Sequence, residues 1–408
     1  MSHTVIIGGS HAGVAAAAAL RQHDAEMAIT LVCKENQLPY QRPPLSKAYM
    51  SGEMSLDRLR LRSAEWYEEN RISLKLGNAA TSIDRKDRFV HLASGDGLSY
   101  DALILATGAE ARRLPPEIGG DLPNVRVMRS LDDADGLMAV MKTGQKLVVI
   151  GGGYIGLEAA AEAAKKGLDV TVIEAAERIL RRVACRETAD AFRALHEAHG
   201  VTVLEKTQIE RLVESGGVAT AVRLVNGEEL PLDLAIVGIG ISPNVALAEA
   251  AGLEVAVGIV VDDHGRTSDP LIYAAGDCTI LPLANQPTRL ESVQNAHDQA
   301  AAVAANICGI DTIYDPHPWF WSDQYDMKLQ IAGLNRGYDA VVVRPGKREG
   351  SVSHFYFRQG RFIAVDCLND AATYAMSRKL LEAGAMITPE QIADPDFDLR
   401  AAMKALQG

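Results

Sequence analysis

Two glycine-rich turns constrain this chain more than any other feature. The first is Val5-Ile6-Ile7-Gly8-Gly9-Ser10-His11-Ala12-Gly13, and the second is Val148-Val149-Ile150-Gly151-Gly152-Gly153-Tyr154-Ile155-Gly156. In each, an apolar run of strand character leads in and a helix-forming stretch leads out. The glycines permit a tight turn and let backbone approach a pyrophosphate. The helix N-terminus presents free N–H groups and the positive end of its dipole. Glu35 follows 22 positions after Gly13, and Glu174 follows 18 positions after Gly156. An acid so placed, at the end of the second strand, accepts hydrogen bonds from ribose hydroxyls. One polypeptide is therefore expected to clamp two different dinucleotides.

The surrounding pattern supports two copies of one fold. Residues 4–35 read as strand, helix and strand: Thr4–Ile7, a helix from Ala12 through the alanine run to Arg21, and Ile29–Val32. Residues 147–174 repeat the plan with Leu147–Ile150, Ile155–Lys166 stopped by Gly167, and Val170–Ile173. The run ending in Ala106-Thr107-Gly108 closes the first unit, and the run ending in Gly238-Ile239-Gly240 closes the second. Thr267–Asp277 adds a short strand ending in Gly276-Asp277, and a helix is expected over Val293–Ile307. From about Tyr314 the texture changes. Leu329–Ala332, Ala340–Val343, Ser351–Phe357 and Arg361–Cys367 read as an antiparallel meander, followed by a helix over Ala371–Ala383.

The expected fold class is α/β: two Rossmann-like nucleotide-binding domains plus a C-terminal α+β domain with an antiparallel meander. The expected boundaries are 1–113 and 239–313 for the two parts of the first nucleotide domain, 114–238 for the second, and 314–408 for a C-terminal interface domain. Pro115–Asp121, rich in Pro and Gly, is the expected crossing between the nucleotide domains.

Composition removes several function classes. A chain of 408 residues with 48% apolar content builds sizeable cores. The formal net charge of -12 argues against nucleic acid as a partner, while leaving room for a local basic patch. Cys33, Cys185, Cys278, Cys308 and Cys367 are odd in number and contain no Cys-x-x-Cys pair. Neither structural disulfides nor a metal site is expected, and the five read as small buried hydrophobes. No run reaches the ~20 apolar residues of a membrane span, and Met1-Ser2-His3-Thr4 lacks a basic targeting region. The expectation is a cytoplasmic protein without membrane contact.

The two clamps differ in detail. Ser10 stands where the middle glycine of the first motif is usual; it costs little at negative φ, and its hydroxyl could reach a phosphate. At the second clamp, Glu174 favours a free adenosine 2′-hydroxyl and repels a 2′-phosphate, which predicts NADH over NADPH. Arg178, Arg181 and Arg182 lie downstream but do not replace the acid.

Longer segments carry a family resemblance. They are Pro39-Tyr40-Gln41-Arg42-Pro43-Pro44-Leu45-Ser46-Lys47, Ala106-Thr107-Gly108, Gly151–Glu158, Thr267–Asp277, Glu291-Ser292-Val293-Gln294-Asn295-Ala296, and Pro318-Trp319-Phe320-Trp321-Ser322-Asp323-Gln324. With the glycine motifs, these resemble the FAD-dependent ferredoxin reductases of bacterial oxygenase systems, within the glutathione-reductase-like flavoprotein superfamily. The resemblance runs from about His3 to Ala385. It implies FAD in the first nucleotide unit and NADH in the second. Ala12 and Gly13 would lie under the flavin pyrophosphate, with Glu35, or its neighbour Lys34, on the ribose. Arg42, Lys47, Ala80 and Arg129 match FAD-contacting positions. Asp277 would bond the ribityl or phosphate region, with Glu291 in the same late segment and the Val293 amide near the pyrimidine end. Lys47 and Glu158 would form an ion pair beside the isoalloxazine, and one or both of Trp319 and Trp321 would cover the flavin edge near the partner surface.

The resemblance also makes absences informative. Disulfide reductases of the superfamily need two cysteines in the segment corresponding to Pro39–Lys47, which has none, and a late histidine, whereas none follows His354. Electrons must then leave the flavin without a thiol relay. The implied activity is NADH:ferredoxin oxidoreduction: a hydride passes from NADH to FAD, then single electrons pass to a 2Fe-2S ferredoxin. The ferredoxin would serve a haem-thiolate monooxygenase or a Rieske-type oxygenase. Arg289, Lys328 and Arg336 are candidate docking cations. Rubredoxin reductase and an NADH-sensing flavoprotein like apoptosis-inducing factor are the alternatives, and the chain is expected as a monomer or homodimer.

Overall fold

Strand pairing in the computed structural model, which describes residues 2–283 and 286–405, builds the nucleotide fold twice. The chain divides into two compact units. The first comprises Met1–Arg42, Met54–Glu110 and Ile241–Pro316, and the second comprises Pro43–Glu53, Ala111–Gly240 and His317–Gly408.

In the first unit, a five-stranded sheet runs in the order Ile272–Ala274, Ala102–Leu105, His3–Ile7, Ala28–Val32, Ile72–Lys75, with every neighbour parallel. Parallel strands covered on both faces read as unbroken apolar runs, and Val5, Ile6, Leu31, Leu103, Ile104 and Leu105 are all fully buried. The His11–His23 helix owes its alanine run to its neighbour. Ala12, Ala16, Ala17 and Leu20 share one core with Ala296, Ala300, Val303 and Ala304 of the Val293–Ile307 helix. Small side chains on both surfaces let the two helices approach closely.

In the second unit, Thr202–Leu204, Asp169–Ile173, Lys146–Ile150, Leu234–Val237 and Val125–Arg126 form an all-parallel sheet. First, second, third and closing strands occupy the same relative places as in the first unit, and the fifth strand flanks the closing strand in both; it differs only in origin, following the closing strand in the chain as Ile272–Ala274 in the first unit and preceding the first strand as Val125–Arg126 in the second.

The C-terminal sheet has one more strand than the sequence pattern suggests. Its antiparallel order is Trp319–Gln324, Met327–Gly333, Arg361–Leu368, Val352–Arg358, Ala340–Pro345. The tryptophans, expected just ahead of the meander, lie within its first strand, where aromatic side chains suit a pleated surface. The helix after the sheet spans Ala371–Glu382, with Leu380 in the core of Phe355, Phe357, Val365 and Cys367. Across the sheet, Tyr356 accepts the Cys185 amide at 2.8 Å, and Thr188 donates to Asp366 at 2.8 Å while pairing with His354 Nδ1 at 2.7 Å. The meander is thereby fastened to the start of the Arg186–Ala198 helix by buried polar groups. Among the described residues, no helix is long and apolar enough to cross a membrane.

Candidate functional site

The glycine turns of both units are shaped by contact with their closing strands. Gly8 has φ +123°, and a Cβ there would stand 2.0 Å from the Ala106 carbonyl oxygen. Gly151 has φ +111°, and its Cβ would stand 2.5 Å from the Gly238 carbonyl oxygen. Only glycine satisfies both demands. The last glycines bring helix onto turn: a Cβ on Gly13 would lie 1.9 Å from the Gly8 carbonyl oxygen, and one on Gly156 would lie 2.3 Å from that of Gly151.

The helices that follow share a second property. Among described helices of ten residues or more, those starting at His11 and Tyr154 have no side-chain cap, while those at Leu131, Arg186, Val293 and Ala371 do. Ser10 is the N-cap residue, yet its hydroxyl does not cap; its φ of -140° is extended backbone, so replacing the usual glycine strains nothing. Gly153 caps the other helix with no side chain at all. The first-turn amides of both helices thus remain available to an anion. This fits a pyrophosphate at each turn.

In the first unit, Glu35 is half-buried at the strand end, accepting from Arg42 at 2.6 Å and from the Tyr40 hydroxyl. Asp277 adds its field at Arg42. Lys34 turns outward to Glu110 at 3.3 Å with its side chain 77% exposed. Thr107 and Asn244 clamp each other, the hydroxyl donating to the Asn244 carbonyl at 2.7 Å and the amide to the Thr107 carbonyl at 2.9 Å. The Gly276 amide donates to Gln299 at 2.8 Å. Val293 opens its helix, with Ser292 capping the Asn295 amide. Ala80 begins a strand of a small antiparallel sheet. Glu291 pairs with Arg289, so this candidate docking cation is already neutralised locally. Arg129 lies in the second unit, its amide donating to Asp133.

In the second unit, Glu174 uses each oxygen once on backbone: Oε2 accepts the Gly152 amide at 2.8 Å and Oε1 the Ala176 amide at 2.7 Å. Ile155 and Ile239 flank the turn as exposed apolar side chains, 41% and 36% accessible. Arg178, the first of the three arginines downstream of Glu174, is buried and donates to the Ala184 carbonyl at 2.7 Å. Arg181 pairs with Glu177 at 2.9 Å, while Arg182 lies against Gly240.

The turn ending in Pro43–Ser46, the Tyr154–Lys165 helix and the Trp319–Gln324 strand converge on Glu158. Lys47 Nζ lies 3.1 Å from its Oε1, Ser322 donates to Oε1 at 2.6 Å, and Ser46 donates to Oε2 at 2.8 Å. Glu158 is only 6% exposed. Burial pushes its pKa above the usual carboxylate value, while Lys47, Ser322 and Ser46 pull it back. Lys47 also lies 5.8 Å from the centre of the Trp321 ring. Trp319, Phe320, Trp321, Gln330 and Tyr374 line a cavity of about 250 Å³, with the Arg378 guanidinium 5.4 Å from the Trp319 ring centre. Tyr154 packs edge-on against Phe320 at 5.8 Å. The sequence singles out Lys47 and Glu158 but not the serines. Strand alternation puts Ser322 with Phe320 and Gln324 on the face opposite the tryptophans, but nothing in the spacing joins that face, or Ser46, to Glu158.

A nucleotide-clamping, paired-fold architecture of this kind defines a class, and the chain belongs to the pyridine nucleotide-disulphide oxidoreductase family, whose model matches residues 2–300. A reductase C-terminal model matches residues 319–403. Among characterised relatives, rhodocoxin reductase of Rhodococcus erythropolis is 44% identical over 401 residues, covering 98% of this chain and 94% of the relative. A ferredoxin–NAD(P)(+) reductase of a Sphingomonas species is 43% identical, covering 98% and 97%. The solved covalent complex of putidaredoxin reductase with putidaredoxin matches with a TM-score of 0.95 at 39% identity, covering 100% of this chain and 99% of that one. Ferredoxin reductases are thus among the similar homologues, as is a rubredoxin-NAD(+) reductase of Pseudomonas putida, 41% identical over 367 residues and covering 90% of this chain and 95% of the relative.

Proposed function

We propose that this protein is an NADH:ferredoxin oxidoreductase that carries FAD and delivers electrons to a 2Fe-2S ferredoxin serving a haem-thiolate monooxygenase or a Rieske-type oxygenase. The observation that carries the reading is the paired, uncapped helix N-termini, one in each unit, each behind a glycine turn and each with a carboxylate at the next strand's end. Two dinucleotides in one chain suit a reaction between them. Bound FAD supplies what the protein lacks, the capacity to take an electron pair and release single electrons.

The first unit's Gly8 turn, Ser10 and first-turn amides would hold the FAD pyrophosphate, with Glu35 and Arg42 at the ribose and Asp277 and the Val293 amide further along. The Gly151 turn and Glu174 would hold NADH. Lys47 would supply a cation to the flavin ring. Glu158 has about four acceptor positions, three of them taken by Lys47, Ser322 and Ser46. One position on Oε2 is left for an N–H donor such as the nicotinamide carboxamide. With five free cysteines, Cys33, Cys185, Cys278 and Cys367 buried, and no cysteine between Pro39 and Lys47, a thiol relay has no support.

The test is anaerobic reduction of the purified yellow protein by NADH, followed by NADH-dependent cytochrome c reduction with and without an added 2Fe-2S ferredoxin. Rapid bleaching and strong ferredoxin dependence are expected. A colourless protein, or a yellow one that NADH does not bleach, overturns the reading. Preference for a rubredoxin overturns the choice of acceptor.

A further inference from the structure

Glu158 ends a buried chain of hydrogen bonds. Ser322 donates to Glu158 at 2.6 Å, Gln324 Nε2 donates to the Ser322 oxygen at 3.1 Å, and Gln324 Oε1 lies 2.7 Å from His196 Nε2. Ser322, Gln324 and His196 are at most 1% exposed. They come from two elements: the strand Trp319–Gln324 supplies the first two on one face, and the helix Arg186–Ala198 supplies the histidine.

The carboxylate fixes the sense of every link. An ionised Glu158 only accepts, so Ser322 must donate to it. The Ser322 oxygen is then left to accept, which turns the Gln324 amide nitrogen toward it. Gln324 Oε1 consequently faces His196, which must carry its proton on Nε2. Burial lowers the pKa of His196, so the ring is neutral, and its Nδ1 has no hydrogen-bond partner. Each donor dipole therefore points at the same carboxylate, and such chains polarise one another cooperatively. Apolar side chains would fill this volume at lower desolvation cost.

We propose that Ser322, Gln324 and His196 are positioning residues for Glu158, holding its carboxylate ionised and in a single orientation so that the spare position on Oε2 stays aimed at the nicotinamide. This rests on the role given to Glu158 above. The other ionisable groups around Glu158 are Lys47, paired with it, and Tyr154, on the same helix and kept neutral because burial raises its pKa well above the ordinary value. Glu162, one turn further along, is engaged with Lys165 at 2.8 Å. Asp323 lies on the opposite face of its strand.

The experiment measures flavin reduction by saturating NADH in the anaerobic holoenzyme across pH, for the parent, Ser322→Ala, Ser322→Thr, Gln324→Leu and Glu158→Gln. Removing a donor to the charged form raises the carboxyl pKa. The acid limb of the rate profile should therefore move up by about one to two pH units in Ser322→Ala. It should move less in Gln324→Leu and return in Ser322→Thr, which keeps the hydroxyl. FAD content and thermal midpoint confirm folding of each variant, and Gln324→Leu gives the answer if Ser322→Ala does not fold. A limb that stays put in the folded donor-loss variants, while Glu158→Gln is slow, overturns the relay alone. An unchanged rate in Glu158→Gln overturns the role of Glu158 itself.

Discussion

Coenzyme choice is the sharpest consequence of the second clamp. Glu174 has about four acceptor positions, and two are spent on the Gly152 and Ala176 amides. These bonds fix the carboxylate and leave one position on each oxygen, matching the vicinal 2′ and 3′ hydroxyls of an adenosine ribose. A 2′-phosphate would replace a donor by an anion at about 4 Å. At an effective dielectric of about 20 to 80, that repulsion is about 1–4 kcal/mol per unit charge. Two of the three downstream arginines are committed elsewhere, Arg178 to backbone carbonyls and Arg181 to Glu177. At least a tenfold preference in kcat/KM for NADH over NADPH is expected, equivalent to about 1.4 kcal/mol or more. Glu174→Gln removes the charge and presents an amide whose N–H₂ faces a backbone donor, so the preference should fall by about tenfold or more. Steady-state rates with each coenzyme, at fixed ferredoxin, measure both ratios. Equal efficiency in the parent, or an unchanged ratio in the variant, would refute the reasoning.

Three further outcomes follow from the same structure. Burial raises the Asp366 pKa from 3.8 to about 7; a carboxyl whose folded pKa is raised holds its proton more tightly when folded, so its stabilisation is full below about pH 4 and is lost as pH rises to about 7, a change on the order of 4 kcal/mol. Asp366→Asn should remove this loss, and the thermal midpoint difference between variant and parent should favour the variant more at pH 8 than at pH 5; a pH-independent difference contradicts it. Gly8→Ala, with φ +123° and a Cβ 2.0 Å from the Ala106 oxygen, should cost about 3 kcal/mol or more, read as loss of bound flavin in the purified protein; a variant of normal yellow colour and stability contradicts the packing argument. Lys328 is exposed on the strand paired with Trp319–Gln324, and with a net charge of -12 the chain would need local cations to dock a ferredoxin if that partner is itself acidic. Ferredoxin reduction should slow as salt rises, and Lys328→Glu should weaken it; a flat response to both sinks electrostatic docking.

What was legible in the sequence and what was not divides along physical lines. The nucleotide folds were readable because their signals are local: an apolar strand, a glycine that no other residue can replace at φ +123°, a helix, and an acid at the second strand's end. The Val293–Ile307 helix was readable for the same reason, its alanines marking a close helix contact. The centre around Glu158 was legible only in Lys47 and Glu158, through the resemblance of long segments. Ser46 and Ser322 act through contacts that join positions 46, 158 and 322, and sequence spacing carries no trace of them.

The meander carries the deeper reason. Alternating polar and apolar residues along a strand ordinarily mean one face in water and one in the core. Ser322, Gln324, His354, Tyr356 and Asp366 follow that alternation, yet all are 3% exposed or less. Their face is covered by the second nucleotide fold, through Cys185, Thr188, His196 and Glu158. A polar stripe buried between two subdomains looks the same in sequence as one facing solvent; only partners far along the chain distinguish them. Burying so many hydrogen-bonding groups is costly unless each is matched, and of these it is Ser322, Gln324 and His196 that are hydrogen-bonded in a chain to Glu158. Within that stripe, Ser322 and Gln324 of the meander's first strand are the residues through which, in the positioning role proposed above, the meander's packing would set the orientation of the carboxylate.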